Sequence, residues 1–141
     1  MLQPINPEFL NKLCDNTMVK HLGIEFTEIS IGHVVAKMPV DERTIQPMKR
    51  LHGGASMALA ESVGRAGSLI LIDSEKFAVL GVEISGSHVG TTSDAFVFGI
   101  GTIVHQGKTS HVWEIRIEDQ NGKLISLCRL TNRIIPLKSE K

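Results

Sequence analysis

Across residues 54–72 apolar side chains recur on every side of a helical projection. Ala55, Met57, Ala58, Leu59, Ala60, Ala66, Leu69, Ile70 and Leu71 leave Glu61 and Arg65 as the charges in that span. Apolar coverage of that width predicts a long helix buried all round. Its small residues let neighbouring elements come close. Ahead of it the period changes. HLGIEFTEISIGHVVAKMPV carries β-branched residues on both sides of Ser-Ile-Gly-His, which predicts two strands and a tight turn. DERTIQPMKR is polar with a central proline and predicts a loop. Near the start, Asn6 as cap, Pro7 in the first turn and an apolar stripe of Phe9, Leu10 and Leu13 predict a short helix over about residues 6–15.

The second half reads as strands. FAVLGVEISGSHVG is strand-like, and DAFVFGIGTIVHQG alternates Phe96, Phe98 and Ile100 with Val97, Gly99 and Gly101. In HVWEIRIEDQNGKLISLCRLTNRIIPL, Asn121-Gly122 separates two such runs, the strongest short signal for a hairpin. The order is helix, two strands, long helix, four strands. That is an α+β chain in which about six antiparallel strands wrap one long central helix. With 141 residues it is expected to form one domain, residues 1–141.

Charge and cysteine content narrow the function classes. Fifteen basic and fifteen acidic residues give a formal net charge of zero, so no basic excess exists to track phosphates and no nucleic-acid partner is expected. Cys14 and Cys128 match no metal or redox spacing, which points to reduced thiols. MLQPINPEFLNKL lacks the basic start and apolar run of a signal peptide. No apolar run approaches the ~20 residues that span a bilayer. A cytoplasmic protein without membrane attachment is expected.

Three constellations could carry chemistry. Glu61 is either a helical acid paired with Arg65 four residues on, worth tenths of a kcal/mol, or a carboxylate placed among apolar residues for use, since such burial is costly otherwise. His52-Gly53-Gly54 is either a turn and helix start or a set of open N–H groups suited to a developing oxyanion. Gly107, Lys108, Thr109 and Ser110 form either a polar hairpin turn or a phosphate cradle. His88 and His111 lie in strand-like runs, where histidine is more often packing than chemistry. No second His or acid stands at zinc-ligand spacing from His52, so no metal is expected.

QPMKRLHGGASMALAESVG, then LGVEISGSHV, then GKTSHVWEIRIEDQNGKL resemble the hotdog-fold acyl-CoA thioesterases. The likeness is to the phenylacetate-pathway enzymes, the 4-hydroxybenzoyl-CoA thioesterases with a helical glutamate and the 1,4-dihydroxy-2-naphthoyl-CoA hydrolases, and it runs from about His21 to Ile135. The resemblance implies a hotdog fold and hydrolysis of an aromatic or aliphatic acyl-CoA to free acid and CoA. CoA is then part of the substrate, and no other cofactor is implied. Glu61 matches the catalytic carboxylate, acting as nucleophile or as general base on water. The Gly53 N–H matches the oxyanion donor, and Gln46 and His52 match the polar pair beside the thioester. His88 matches a ligand contact near the partner subunit, and Lys108, Thr109 and Ser110 match the turn that holds the CoA phosphates. Such sites are built across the interface of a homodimer, and a homotetramer is expected. One position departs from the pattern. Arg65 stands where a Ser or Thr usually follows the glutamate by one turn; it could pair with Glu61 or receive a polar or anionic acyl group. Met48, Met57, Phe77, Phe96 and Phe98 are candidates for the acyl recess. The rival readings are a hotdog 3-hydroxyacyl-thioester dehydratase and a non-catalytic acyl-CoA-binding module.

Overall fold

The computed structural model describes residues 4–138. Helix α1, Pro7–Leu13, starts as its sequence dictates: Asn6 Oδ1 accepts from the Phe9 N–H at 2.8 Å, and Pro7 needs no intrahelical donor. It ends two residues before the expected 15. A single-turn helix, α2 at Met18–His21, follows and was not anticipated. Asn11 clamps α1 to the sheet, its amide accepting from the Phe26 N–H at 2.7 Å and donating to the Phe26 carbonyl at 3.0 Å.

Strands β1 (Glu25–Ser30) and β2 (His33–Pro39) form the expected hairpin, with Gly32 at φ 80° in the turn. The long helix α3 runs Gly53–Leu69. It begins one residue earlier and stops three residues short of the expected span. Then come β3 (Phe77–His88), β4 (Phe96–Gln106), β5 (Ser110–Glu118) and β6 (Leu124–Pro136). The six strands form one antiparallel sheet in the order β1-β2-β4-β5-β6-β3. β1 and β3 are therefore its edges.

Alternation places one face of each strand on α3. On β5 it is His111, Trp113, Ile115 and Ile117 that are buried; on β6, Ser126, Cys128, Leu130 and Asn132. From the helix come Leu59 and Val63, both without exposed surface. Burying side chains of that size contributes about 1.5–3 kcal/mol each. Close approach depends on glycine: a Cβ at Gly67 would overlap the Trp113 ring, and one at Gly64 would lie 2.6 Å from Leu130 Cδ2.

In one respect the helix departs from expectation. It is not buried on all sides. Gly54, Glu61 and Arg65 are exposed, and Met57, Ala58 and Ser62 are only half-buried. These positions recur at 54, 57/58, 61/62 and 65, one stripe along the helix. The stripe runs beside edge strand β3, where Met57 meets Gly86 and Glu61 meets Gly81. Edge strand β3 is open too, with Leu80 46% and Val82 56% exposed. Among the described residues no helix is long and apolar enough to cross a membrane.

Candidate active site

The site starts at the N-terminus of α3. The loop before it is pinned by Thr44, which is buried and donates through Oγ1 to the Pro39 carbonyl at 2.6 Å. An Ile45–Leu51 bridge, and a bond from the His52 N–H to the Thr44 carbonyl at 2.8 Å, close the loop. Gln46 Oε1 accepts from the Met48 N–H. A backbone N–H only donates, so the Gln46 amide turns its oxygen to the loop and keeps its NH2 as a donor. His52 is the N-cap of α3, and its Nδ1 accepts from the Gly54 N–H at 2.8 Å. With Nδ1 an acceptor, the neutral ring carries its hydrogen on Nε2 and offers a donor there. Gly53 is the first helical residue, so its N–H has no acceptor within the helix. The positive end of the helix dipole adds to that donor.

His88 arrives from the end of β3. Its Nδ1 pairs with Ser126 Oγ on β6 at 2.7 Å, and its Nε2 would lie 2.6 Å from a Cβ at Gly53. Only glycine fits at 53 with the imidazole there. Gln46, Arg50, Gly53, Ser56, His88 and Ser126 line a cavity of about 400 Å³. Three of the residues singled out in the sequence, Gln46, Gly53 and His88, thus meet at one opening, with His52 capping the helix beside it.

Glu61 is not among them. It lies eight residues along α3 from Gly53, about 12 Å at 1.5 Å per residue. Its carboxylate rests on edge strand β3, where Oε1 would be 2.6 Å from a Cβ at Gly81. Gly81 and His88 are seven residues apart on β3, roughly 20 Å by strand geometry. Helix and strand give the same answer: the Gly53 donor and the Glu61 carboxylate of one chain do not reach one carbonyl. Nor does Glu61 pair with Arg65. No ion pair joins them among the described residues; the Arg65 guanidinium lies instead within electrostatic reach of Cys14, where it opposes the burial that raises that thiol's pKa.

Lys108 and Thr109 occupy the β4–β5 turn and Ser110 opens β5, beside the C-terminal end of α3. The Gly107 N–H donates to the Ser110 carbonyl at 2.8 Å, and the Thr109 carbonyl accepts from the Ile134 N–H at 2.9 Å. Lys108 and His111 share a cavity of about 380 Å³ with Leu71, Asp73 and Phe77. This turn is a helix length from Gly53 within the chain. Of the acyl-recess candidates, Met48 is 77% exposed. Phe96 and Phe98 stand on the sheet's outer face, with Lys37 Nζ 5.1 Å from the Phe96 ring centroid. Neither phenylalanine approaches the site. Met57 is half-buried and its Sδ is 3.8 Å from Cys128 Sγ. Among the described residues no group of three His, Cys, Asp or Glu could hold a metal ion.

Residues 48–126 match the family model described as Thioesterase superfamily. The proofreading thioesterase EntH of Klebsiella pneumoniae is 40% identical over 126 residues, covering 89% of this chain and 91% of its own. A mutant of thioesterase PA1618 from Pseudomonas aeruginosa superposes with a TM-score of 0.92 at 36% identity, covering 96% of this chain and 97% of that one. The E. coli PaaI protein from the phenylacetic acid degradation operon shares the fold, with a TM-score of 0.76 at 21% identity and coverage of 90% and 92%. A long helix wrapped by a six-stranded antiparallel sheet, an open helix start faced by Gln46 and His88, and these matches agree: the chain belongs to the thioesterase superfamily and is a thioester hydrolase with the hotdog fold.

Proposed function

We propose that the protein hydrolyses acyl-CoA thioesters to a free acid and CoA, at two sites formed where two copies meet. The observation that carries this reading is the separation of about 12 Å between Gly53 and Glu61 along one helix. Reacting groups must stand ~3–3.5 Å apart, so a second copy has to supply the carboxylate. The open stripe on α3 and the unpaired edge of β3 support such a pairing. A two-fold axis near the middle of that stripe sets the helices antiparallel and brings Glu61 of one copy to the helix start of the other. It also covers Leu80 and Val82 and pairs an edge that would otherwise be a liability.

In this arrangement the thioester carbonyl sits at the start of α3. The Gly53 N–H and the Gln46 NH2 donate to the oxygen as it becomes an oxyanion, with the helix dipole behind them. Glu61 from the other copy either removes a proton from a water that attacks the carbonyl carbon, or attacks that carbon itself to give a mixed anhydride that water then hydrolyses. The carbon–sulfur bond breaks, and in either route the CoA thiolate takes up a proton that the water gives up. His52 Nε2 and His88 border the same opening and orient the thioester. Lys108, Thr109 and Ser110 lie beside the end of Glu61's own helix, which stops eight residues or about 12 Å beyond it, and an extended pantetheine arm delivers the CoA phosphates there. Arg65, one turn past Glu61 and unpaired with it, favours acyl groups that carry an anion. The protein works as a homodimer, or as a tetramer made of two such dimers.

The test is CoA release from benzoyl-CoA, acetyl-CoA, palmitoyl-CoA and succinyl-CoA, followed with a thiol reagent. Turnover on at least one thioester supports the reading, and a preference for succinyl-CoA that Arg65→Ser abolishes supports the role of Arg65. Binding of all four without release of CoA would refute hydrolysis.

A further inference from the structure

Beneath Glu61 lies a polar cluster that the reaction as described leaves unused. Asn132 on β6 is fully buried. Its Nδ2 donates to the Gly64 carbonyl of α3 at 3.1 Å and to Ser68 Oγ at 2.9 Å. A main-chain carbonyl only accepts, so the amide nitrogen must face the helix and the amide oxygen must face away from it. Ser68 Oγ also accepts from Trp113 Nε1 at 2.9 Å and lies 2.9 Å from His111 Nδ1. Two incoming donors fill the hydroxyl's acceptor sites, and its own hydrogen goes to His111 Nδ1. The anchor that holds Asn132 is thereby complete.

Asn132 Oδ1 is different: among the described residues it is the buried side-chain polar atom without a partner. Such an atom is costly to leave unpaired. Its direction is informative. A Cβ at Gly81 would lie 3.7 Å from Asn132 Oδ1 and 2.6 Å from Glu61 Oε1. Both oxygens converge on the space that Gly81, paired with Asn132 across the sheet, keeps open. The register of β3 slips between Gly81 and Glu83, and such bulges re-aim side chains beside active sites. Two acceptors cannot bond one another. A molecule with two donor hydrogens joins them.

We propose that Asn132 is a positioning residue for Glu61: a water seated over Gly81 donates one hydrogen to Asn132 Oδ1 and the other to Glu61 Oε1. The bridge holds the carboxylate in one orientation and leaves its second oxygen for the thioester. This rests on the reading of Glu61 as the reacting carboxylate, and the test separates the two.

Asn132→Leu keeps the branching and the number of side-chain heavy atoms and removes the bridge. On the acyl-CoA hydrolysed fastest, kcat falls by about tenfold or more while KM stays within about twofold. In a Glu61→Gln background the same change alters the residual rate by less than about twofold, because there is no carboxylate left to orient. A purely structural Asn132 would lower Tm and cost the same factor in both backgrounds, and that result overturns the proposal. Ser68→Ala loosens the anchor without touching Oδ1; it keeps the question open to test if Asn132→Leu does not fold. It gives a smaller kcat loss with the same dependence on Glu61, and an unchanged kcat overturns the proposal. Should Glu61→Gln itself turn over at the wild-type rate, the reading of the site fails and this inference with it. Should Glu61→Gln be inactive while Asn132→Leu and Ser68→Ala keep wild-type kcat, the positioning role alone fails.

Discussion

If each site takes its oxyanion donors from one copy and its carboxylate from the other, two inactive variants should repair each other. Gln46→Ala removes one donor from the helix-start side; losing one such donor costs about 10²–10³ in kcat. Glu61→Gln removes the base, a loss of about 10²–10⁴. The two changes lie on opposite sides of the gap set by eight residues of α3. That gap is about 12 Å along the axis, and no rotamer of a glutamate closes it to contact distance. When the two variants are unfolded together, mixed in equal amounts and refolded, half of the dimers are hybrids. Each hybrid has one site with neither change and one with both. The mixture should therefore recover about a quarter of the wild-type rate, at least tenfold above either variant refolded alone. The assay is CoA release, with size-exclusion chromatography to confirm exchange. Hybrids that form but stay at the level of the separate variants would mean that one chain holds a complete site, and the shared-site reasoning would be wrong.

Other expectations follow from particular residues. Lys108→Ala should raise KM for CoA thioesters more than for the matching pantetheine thioesters; equal effects would remove Lys108 from phosphate binding. Gly67→Ala places a Cβ on the Trp113 ring, whose Nε1 is tied to Ser68. Overpacking of about 1–3 kcal/mol or more should outweigh the ~1 kcal/mol that alanine gains in a helix, and thermal melts should show a lower Tm. His111 has its pKa pushed below 6.5, first by burial and then by His105 nearby. The unfolded chain then binds the proton more readily than the folded one, so stability rises with pH. Its share is whole above 6.5 and is lost as pH falls from there towards the depressed folded value. Tm should drop from pH 7.5 to 5.5, and His111→Gln should flatten that slope; an unchanged slope would assign it to other groups.

Strands β2, β4, β5 and β6 were legible because each buries one face. Trp113, Ile115 and Ile117 mark that face at every second residue, and Asn121-Gly122 marks a turn where Gly122 has φ 81°. The start of α3 was legible from His52-Gly53-Gly54, where a capping side chain precedes two residues without Cβ. Helix α2 was not, since one turn with no buried residue leaves no period to read. The open stripe on α3 escaped for another reason. Gly54, Met57 and Ala58 have the composition of a core whether they face their own sheet or a second copy. Contacts set by register were also out of reach. His88 meets Gly53, and Asn132 points beneath Glu61, because β3 pairs with β6 in one particular alignment. In the sequence Thr-Asn-Arg, that asparagine looks like any polar residue of a strand.

The most direct measurement is kcat of Glu61→Gln on the acyl-CoA that the wild-type protein hydrolyses fastest. The substitution keeps size and shape, exchanges one acceptor oxygen for an NH2 donor, and removes the charge. A loss of about 10²–10⁴ in kcat, with an unchanged melting profile, is the expected result. Wild-type kcat in a folded Glu61→Gln protein would contradict the account of this site.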